Sequence, residues 1–298
     1  MGKTITETYP PLSLDKLLIA IDNFKTSSTT EKRKLIKQLV RQHATLSVEW
    51  QPGWRFKRAR LLKSKEDMPK TVNEIIWRKD IPATLGRANP AGFSVLYLAD
   101  REDTALSEVR VTNGRVVIAD FEILPDRKIQ VVPIGELSLV QKKGRGDILG
   151  DGSKDINDMI NACNPEEAKA LLITDNFLLE CLTSADENYE ISSYVAKCIF
   201  DKLPKISAIA YPSQRQQRGA INFAVRIEKE QFWDNWGVRA VKCLDARHLA
   251  YGYYNVSNIN HVTGMTYSGK FVWDDKLDQE RSTMLLDPLW VPTKSLES

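Results

Sequence analysis

Apolar residues near the start of the chain recur with the spacing of amphipathic helices. Ser13 stands at the cap position of a first stripe, which consists of Leu14, Leu17, Leu18, Ile21 and Phe24. A second stripe, predicted to be capped near Thr30, consists of Leu35, Ile36, Leu39, Val40 and Leu46. The two stripes predict an N-terminal helical hairpin that ends near Trp50.

Beyond residue 53 the pattern changes to short runs of the kind that strands show, separated by Gly, Pro, Asn and Asp turn signals. The runs are WRFKRARL at 54–61, GFSVLYLA at 92–99, RVVIADFEI at 115–123, KIQVVPI at 128–134, ISAIAYPS at 206–213, INFAVRI at 221–227 and VRAVKCL at 238–244. Two aromatic segments follow, AYGYYNV at 250–256 and YSGKFVW at 267–273. Their tyrosines are typical of side chains that pack a sheet, although a base-stacking platform is an alternative.

Three helical patterns lie between the two sets of strand-like runs. A weak one covers about 154–163, a second begins with Asn164 as cap and Pro165 at the first helical position and reaches about Leu182, and a third follows the stripe from Ile191 to Leu203. Strands, then helices, then strands predict an α+β fold with mixed, mostly antiparallel sheets. We expect three segments: a helical extension at 1–50, a core at 54–228 and a strand-rich extension at 229–298.

Composition removes several classes of function. The 298 residues carry a net charge of only +3, which is too small for a nucleic-acid footprint, so no nucleic-acid partner is expected. The four cysteines and three histidines show no metal-ligand spacing, and no apolar run is long enough to cross a membrane. A cytoplasmic protein without a metal is therefore expected. His43 and His248 have no visible partner for a Ser-His-Asp site, and Cys198 lies on an apolar stripe, as buried structural cysteines do.

One run, GRANPAGFSVLYLADREDTALSEVR at 86–110, combines a turn, a strand and a helix. The Asn-Pro and Ala-Gly pairs predict a turn that holds Arg87, and period two places Tyr97 in an apolar strand. Asp103 is the predicted cap of the helix, in which Glu108 shares a face with Thr104, Ala105 and Val111 rather than with Leu106. On these grounds alone, a surface ion pair of Arg87 with Glu108 and a core role for Tyr97 are the ordinary interpretation.

The motifs in this run nevertheless resemble those of the RES domain family. GRANPAG at 86–92, SVLYLA at 94–99, TALSEVR at 104–110 and YPS at 211–213 occur in the family's order, and the resemblance covers roughly 54–228. It implies a fold like that of ADP-ribosyltransferases and a toxin of a toxin–antitoxin pair that consumes NAD. NAD would be the substrate, inorganic phosphate a possible second substrate, and a separately encoded antitoxin the protein partner, with no further cofactor.

The resemblance also assigns site residues. Arg87, Tyr97 and Glu108 match the family's arginine, tyrosine and glutamate, and Ser213 matches the serine, with Ser192 and Ser193 as alternatives. Arg58 and Arg60 match an early arginine element, and Asn89 and Asn222 are further substrate-binding candidates. Arg87, Glu108 and Ser213 are thus the expected catalytic residues. The side chains of Arg87, Tyr97 and Glu108 should converge on one dinucleotide-sized cleft.

The chemistry of NAD cleavage suits these residue types. Nicotinamide leaves as a neutral group, so the protein must mainly hold the dinucleotide and stabilise positive charge on the ribose. A carboxylate such as Glu108 can provide that stabilisation, a guanidinium such as Arg87 suits phosphate oxygens, and an aromatic ring such as Tyr97 can stack on nicotinamide. Ser213 would hydrogen-bond the ribose or position the acceptor.

Three functions remain open from the sequence. An NAD glycohydrolase or phosphorylase is the leading hypothesis, an ADP-ribosyltransferase acting on a protein or nucleic acid is the second, and an inactive binding or regulatory module is the third. The stretch GRGDILGDG at 144–152 resembles a phosphate-binding loop, but its spacing is wrong and a surface loop is expected there.

Overall fold

The computed structural model describes residues 2–63, 66–76, 83–184, 189–215, 219–227, 232–274 and 289–292. These residues form eight α-helices and ten strands, and six of the seven strand pairs with a described register are antiparallel and one is parallel, which confirms the predicted α+β class. The chain is divided into two compact units, one of Met1–Val48, Ala83–Phe93 and Gln130–Tyr211, the other of Glu49–Pro82, Ser94–Ile129 and Pro212–Ser298. Each unit draws on more than one of the three segments expected from the sequence, and that three-segment division stays a prediction.

The first unit is mainly helical. Its helices are α1 (Ile5–Thr8), α2 (Leu14–Phe24), α3 (Thr29–Gln42), α5 (Glu136–Lys143), α6 (Ser153–Asn161), α7 (Pro165–Thr183) and α8 (Glu190–Lys202). The cap of α7 is Asn164, as predicted, and its side-chain oxygen accepts a hydrogen bond from the Glu166 N–H at 2.9 Å. The helices α2 and α7 meet through Phe24 and Phe177, whose ring centroids lie 4.9 Å apart in an edge-to-face arrangement.

A parallel pair of strands belongs to the same unit, β5 (Ile129–Pro133) and β6 (Ala208–Pro212). The strand β5 leads through Gly135 into α5. Gly135 has a φ of +88°, and a Cβ atom added there would lie 2.4 Å from Leu179 Cδ2, so both the backbone and the space require glycine. The helix α7 also binds the start of α5, because the Gly135 and Leu137 N–H groups donate to the Asp175 carboxylate at 3.2 and 3.1 Å.

The second unit is a layer of antiparallel strands in the order β7, β3, β2, β4, β8, β9, β10. The bounds are β2 (Arg55–Leu61), β3 (Val95–Ala99), β4 (Asn113–Ile123), β7 (Ile221–Arg226), β8 (Trp236–Ala250), β9 (Tyr253–Met265) and β10 (Phe271–Trp273); β1 (Val48–Trp50) lies at the boundary between the units. The strand β3 has a neighbour on each side, which confirms that GFSVLYLA supplies an inner strand. The residues beyond 229 add strands to this sheet, one of the roles that the sequence leaves open for them.

The short helix α4 (Glu102–Glu108) covers one face of this sheet. Its apolar residues pack with sheet residues in one buried cluster, which consists of Ala59, Ala99, Ala105, Leu106, Val111, Val116, Ile118, Leu244 and Ala246. The helix ends in a Schellman arrangement: the Arg110 N–H donates to the Ser107 carbonyl and the Val111 N–H to the Leu106 carbonyl. Arg110 takes the left-handed position, with a φ of 56°, where glycine would avoid a cost of about 1 to 2 kcal/mol.

Several predicted boundaries and contacts were wrong. The cap of α3 is Ser28, two residues before Thr30, and it forms a capping box with Glu31. The cap of α4 is Arg101, not Asp103, and Asp100 instead accepts a hydrogen bond from the Thr104 hydroxyl at 2.8 Å. The helix α5 was not predicted from the sequence.

The expectations for two single side chains also need correction. Cys198 is only half-buried, although burial still raises the pKa of its thiol. His43, for which the sequence showed no partner, lies with its Nε2 3.5 Å from Asp175 Oδ1.

The predicted surface loop at 144–152 is attached to a buried side chain. The Glu136 carboxylate accepts the N–H groups of Asp147, Ile148 and Leu149 at 3.2, 3.0 and 3.4 Å. Main-chain N–H groups that would be needed to hold a phosphate are therefore already bound to a carboxylate of the protein. These three N–H groups are therefore not available to a phosphate.

Candidate active site

The helix α4 places Glu108 as its last residue, next to the left-handed turn at Arg110. The carbonyl end of a helix disfavours a negative charge, so local helix energetics do not explain a carboxylate at this position. Glu108 is half-buried. Its placement therefore depends on donors from elsewhere in the second unit.

Two side chains supply those donors. Ser213 Oγ donates to Glu108 Oε1 at 2.7 Å, and Asn222 Nδ2 donates to the same oxygen at 2.7 Å. Both residues are nearly inaccessible, with 8% and 6% of their surfaces exposed. Ser213 is itself held, because its N–H donates to the Ala220 carbonyl and its Oγ accepts the Arg215 N–H.

The second carboxylate oxygen of Glu108 has a different environment. Among the residues that the structure describes, none donates a hydrogen bond to Oε2. One oxygen is thus fixed by two donors while the other is left for a ligand. A carboxylate oriented in this way is suited to a hydroxyl group or to a developing positive charge.

Tyr97 lies on the same face of the sheet as Asn222. In the ladder between β3 and β7, Ala99 is opposite Asn222 and Tyr97 is opposite Ala224. Because directly opposed residues share a face and every second residue returns to it, the side chains of Tyr97 and Asn222 project from one side of the sheet. The half-buried Tyr97 ring and the Glu108 carboxylate that Asn222 binds are therefore on that side.

Arg58 and Arg60 are bound mainly to carbonyl oxygens. Arg58 donates through Nε to the Ile75 carbonyl at 2.7 Å and through Nη1 to the Tyr97 carbonyl at 3.1 Å. Arg60 donates to the Glu74 carbonyl at 2.8 Å and forms an ion pair with Glu66. Burial lowers the pKa of Arg58 to about 10, which still leaves the guanidinium charged at neutral pH. Arg58 thus fixes the backbone of the strand that carries Tyr97.

Arg87 and Asn89 belong to the first unit. Arg87 Nη1 donates to the carbonyls of Leu182 at 3.3 Å and Ser184 at 2.9 Å, and its guanidinium carbon lies 5.7 Å from the centroid of the Tyr189 ring. Among the described residues, none accepts a hydrogen bond from its Nε or Nη2. Asn89 is buried and its Nδ2 donates to the Thr84 carbonyl at 2.7 Å, which closes the turn around Arg87.

The structure therefore brings Glu108, Ser213 and Asn222 into one hydrogen-bonded group and places Tyr97 on the same side of the sheet. Ser213, rather than Ser192 or Ser193, contacts the glutamate; the hydroxyls of those two serines lie 3.4 and 3.3 Å from carbonyls of their own helix region. The convergence of Arg87 with this group stays a prediction. Sequence reasoning proposed Asn222 but no pattern could indicate that it shares one oxygen atom with Ser213.

A comparison with known protein families assigns the chain to one of them. The sequence model of the RES domain family matches residues 54–232, which is more than half of the chain, and the protein belongs to that family. Membership supports a toxin-like domain with NAD-related enzymatic activity. No curated protein was found to match the chain.

Two further properties of the described residues bear on the class of site. They contain no cluster of three or more His, Cys, Asp or Glu side chains that would hold a metal ion. None of their helices combines the length and the apolar character needed to cross a membrane.

Proposed function

We propose that the protein cleaves the nicotinamide–ribose bond of NAD. The observation that carries this proposal is the environment of the half-buried Glu108 carboxylate. Ser213 and Asn222 fix its Oε1, and none of the described residues donates a hydrogen bond to its Oε2. As the bond breaks, its electron pair goes to the nicotinamide nitrogen, and positive charge develops on the ribose. A preorganised carboxylate stabilises that charge without having to reorganise during the reaction.

The other residues would hold the dinucleotide. Arg87 presents the free edge of its guanidinium, which fits two oxygens of the pyrophosphate or of an incoming phosphate. Tyr97 would stack on the nicotinamide ring. Ser213 keeps Glu108 in place, and because it is adjacent to Glu108 it would also contact a ribose hydroxyl that binds there. Arg58 supports the backbone of Tyr97.

The acceptor determines the product. With water, the reaction yields nicotinamide, ADP-ribose and a proton; with inorganic phosphate, the new bond joins the ribose to a phosphate oxygen. Transfer to a protein or nucleic acid requires the same cleavage and is an outcome that the product analysis would reveal. NAD consumption of this kind implies restraint by a separately encoded antitoxin, and a site of action in the cytoplasm, where NAD is available.

The proposal is tested by incubating the purified protein with NAD, with and without inorganic phosphate, and measuring nicotinamide and the ribose product. We expect nicotinamide release by the wild type, and a loss of on the order of a hundredfold or more in Glu108→Gln, which keeps the shape of the side chain but removes its charge. Asp103→Asn, an exposed carboxylate in the same helix, is the matched control and should retain activity. Absence of nicotinamide release from folded wild-type protein under both conditions would refute the proposal.

Restraint by an antitoxin has its own test. Expression of the wild type alone should arrest growth and lower cellular NAD, whereas Glu108→Gln at the same level should not. Normal growth with unchanged NAD during high wild-type expression would contradict the toxin role.

A further inference from the structure

The strands β8 and β9 lie beyond the region that matches the RES family, since the match ends at residue 232. They nevertheless contact the helix that carries Glu108. The strand β8 pairs with β4 over the full length of β4, and β9 pairs with β8. Leu244 and Ala246 of β8 belong to the buried cluster under α4, and Tyr254 of β9 packs against that cluster.

The first of two polar contacts is at the start of α4. Lys242 Nζ of β8 lies 2.6 Å from Glu102 Oε2, and both side chains are mostly buried, with 15% and 24% exposed. An ion pair that is shielded from water in this way holds its geometry better than one on the open surface. It fixes the first residue of the helix to the sheet.

The second contact is at the other end of the helix. Ser107 Oγ and Tyr254 Oη lie 3.2 Å apart, and Ser107, which directly precedes Glu108, is 6% exposed. The Tyr254 ring is itself supported by His248, with ring centroids 5.2 Å apart. The hydroxyl of Tyr254 therefore contacts the residue next to the glutamate from a fixed position.

A helix as short as α4 depends on such contacts. Seven residues make about two turns, which are too few to be stable alone, so the direction of the helix is set by what packs against it. The left-handed Arg110 at its end adds strain that the surroundings must counter. A shift of about 1 Å in a catalytic group can lower a rate on the order of a hundredfold.

We infer that Tyr254 and Lys242 are positioning residues, through which the C-terminal strands hold both ends of α4 and keep Glu108 within reach of Ser213 and Asn222. This inference rests on the proposed NAD cleavage for its effect on rate, but the hold on α4 can be measured without it. The strands beyond the family match are thus part of the site's support.

The test uses Tyr254→Phe, which removes only the hydroxyl, with Tyr253→Phe as matched control, because Tyr253 is the adjacent residue and is 59% exposed. We expect Tyr254→Phe to lower kcat for nicotinamide release by about five- to tenfold, with the KM for NAD within about twofold of the wild type, since ground-state binding is not changed. Amide hydrogens of residues 106–111 should exchange faster in Tyr254→Phe and not in Tyr253→Phe. In a Glu108→Gln background, Tyr254→Phe should have no further effect on the rate.

Lys242→Met tests the other end of the helix and should also lower kcat for nicotinamide release. Glu102→Gln should lower kcat to the same extent if the ion pair is responsible. Unchanged kcat together with unchanged exchange at 106–111 in Tyr254→Phe would overturn the inference. An equal decrease of kcat in Tyr254→Phe and in the control Tyr253→Phe would also overturn it. If the wild type releases no nicotinamide, the proposed function fails, while faster exchange at 106–111 would still support the hold on α4 and unchanged exchange would overturn it.

Discussion

Glu108 of the second unit is bound differently from two buried carboxylates of the first unit, Asp175 and Glu136. In the first unit, Asp175 accepts the N–H groups of Gly135 and Leu137 at 3.2 and 3.1 Å, and Glu136 accepts three further N–H groups of the loop that follows α5. Both are 2% exposed, and both use their two oxygens. In the second unit, Glu108 is half-buried, and among the described residues only the side chains of Ser213 and Asn222 donate to it, both to Oε1.

The difference is the one expected between structural carboxylates and the catalytic carboxylate that we propose. Main-chain donors anchor a segment of backbone to the carboxylate, so Asp175 fixes the start of α5 and Glu136 fixes the loop at 144–152. Side-chain donors do not anchor backbone; they aim the carboxylate. A carboxylate that is aimed by side chains, is partly accessible and is bound at one oxygen only by the described residues fits the catalytic role proposed for Glu108.

The largest expected effect is on Glu108→Asp. This change keeps the charge but withdraws the carboxylate by one methylene from Ser213 and Asn222, each now at 2.7 Å. We expect nicotinamide release to fall on the order of a hundredfold, because a displacement of about 1 Å is enough for such a loss. Thermal unfolding should change little. A large drop in stability would place Glu108 with the structural carboxylates and break the comparison.

Asp175→Asn should show the opposite behaviour. The amide nitrogen that replaces one oxygen cannot accept a main-chain N–H, so one buried donor would be left unpaired, at a cost of about 2 kcal/mol in the free energy of unfolding. Urea unfolding measures this loss, and turnover per folded molecule should be unchanged. Asp158→Asn on the exposed surface of α6 is the control and should stay within about 0.5 kcal/mol of the wild type.

Ser213→Ala and Asn222→Ala each remove one of the two donors to Glu108 Oε1. A hydrogen bond to a charged group contributes about 1.5 kcal/mol, so we expect each variant to be slowed about tenfold. Because both donors act on one oxygen, the double variant should differ from the product of the two single effects. Strict additivity in the kinetics of the double variant would argue that the two residues act separately.

The smallest effect concerns pH and Glu136. Burial raises the pKa of the Glu136 carboxyl, partly opposed by the N–H of Ile148. The folded state therefore holds this proton more tightly than the unfolded state, so the contribution of Glu136 is most favourable below the ordinary pKa of glutamate. This contribution to stability decreases as pH rises from the ordinary pKa of glutamate through the raised pKa of Glu136.

The difference in unfolding free energy between the wild type and Glu136→Gln isolates this contribution. Urea titrations from about pH 4 to about pH 7 should show the wild type losing stability relative to the variant as pH rises. If the wild type instead gained stability relative to the variant as pH rises, the hydrogen bonds from the N–H groups would lower the pKa of Glu136 more than burial raises it.

Much of the fold follows from local patterns in the sequence. The inner strand β3 is a largely apolar run, and the Asn164–Pro165 pair marks the start of α7 without ambiguity. The helix α5 was missed because it has only eight residues and begins at a left-handed glycine, where its N–H groups depend on Asp175, about 40 positions further on. The long β8–β9 hairpin was cut short in the prediction because its turn uses Tyr251 with a φ of 51°, where Asn or Gly is the usual signal.

The candidate site was predictable only in part. Motif order pointed to Glu108 and left Ser213 competing with Ser192 and Ser193. Nothing local could choose among them, since the bond between Ser213 and Glu108 joins residues 105 positions apart. The fold decides the choice, because only folding brings the residues after β6 next to the end of α4.

Ser213 and Asn222 stand on either side of one short stretch of chain, tied at its base by the bond from the Ser213 N–H to the Ala220 carbonyl. The positions of the two donors therefore depend on each other, and a change in the length of this stretch would alter both hydrogen bonds to Glu108 Oε1.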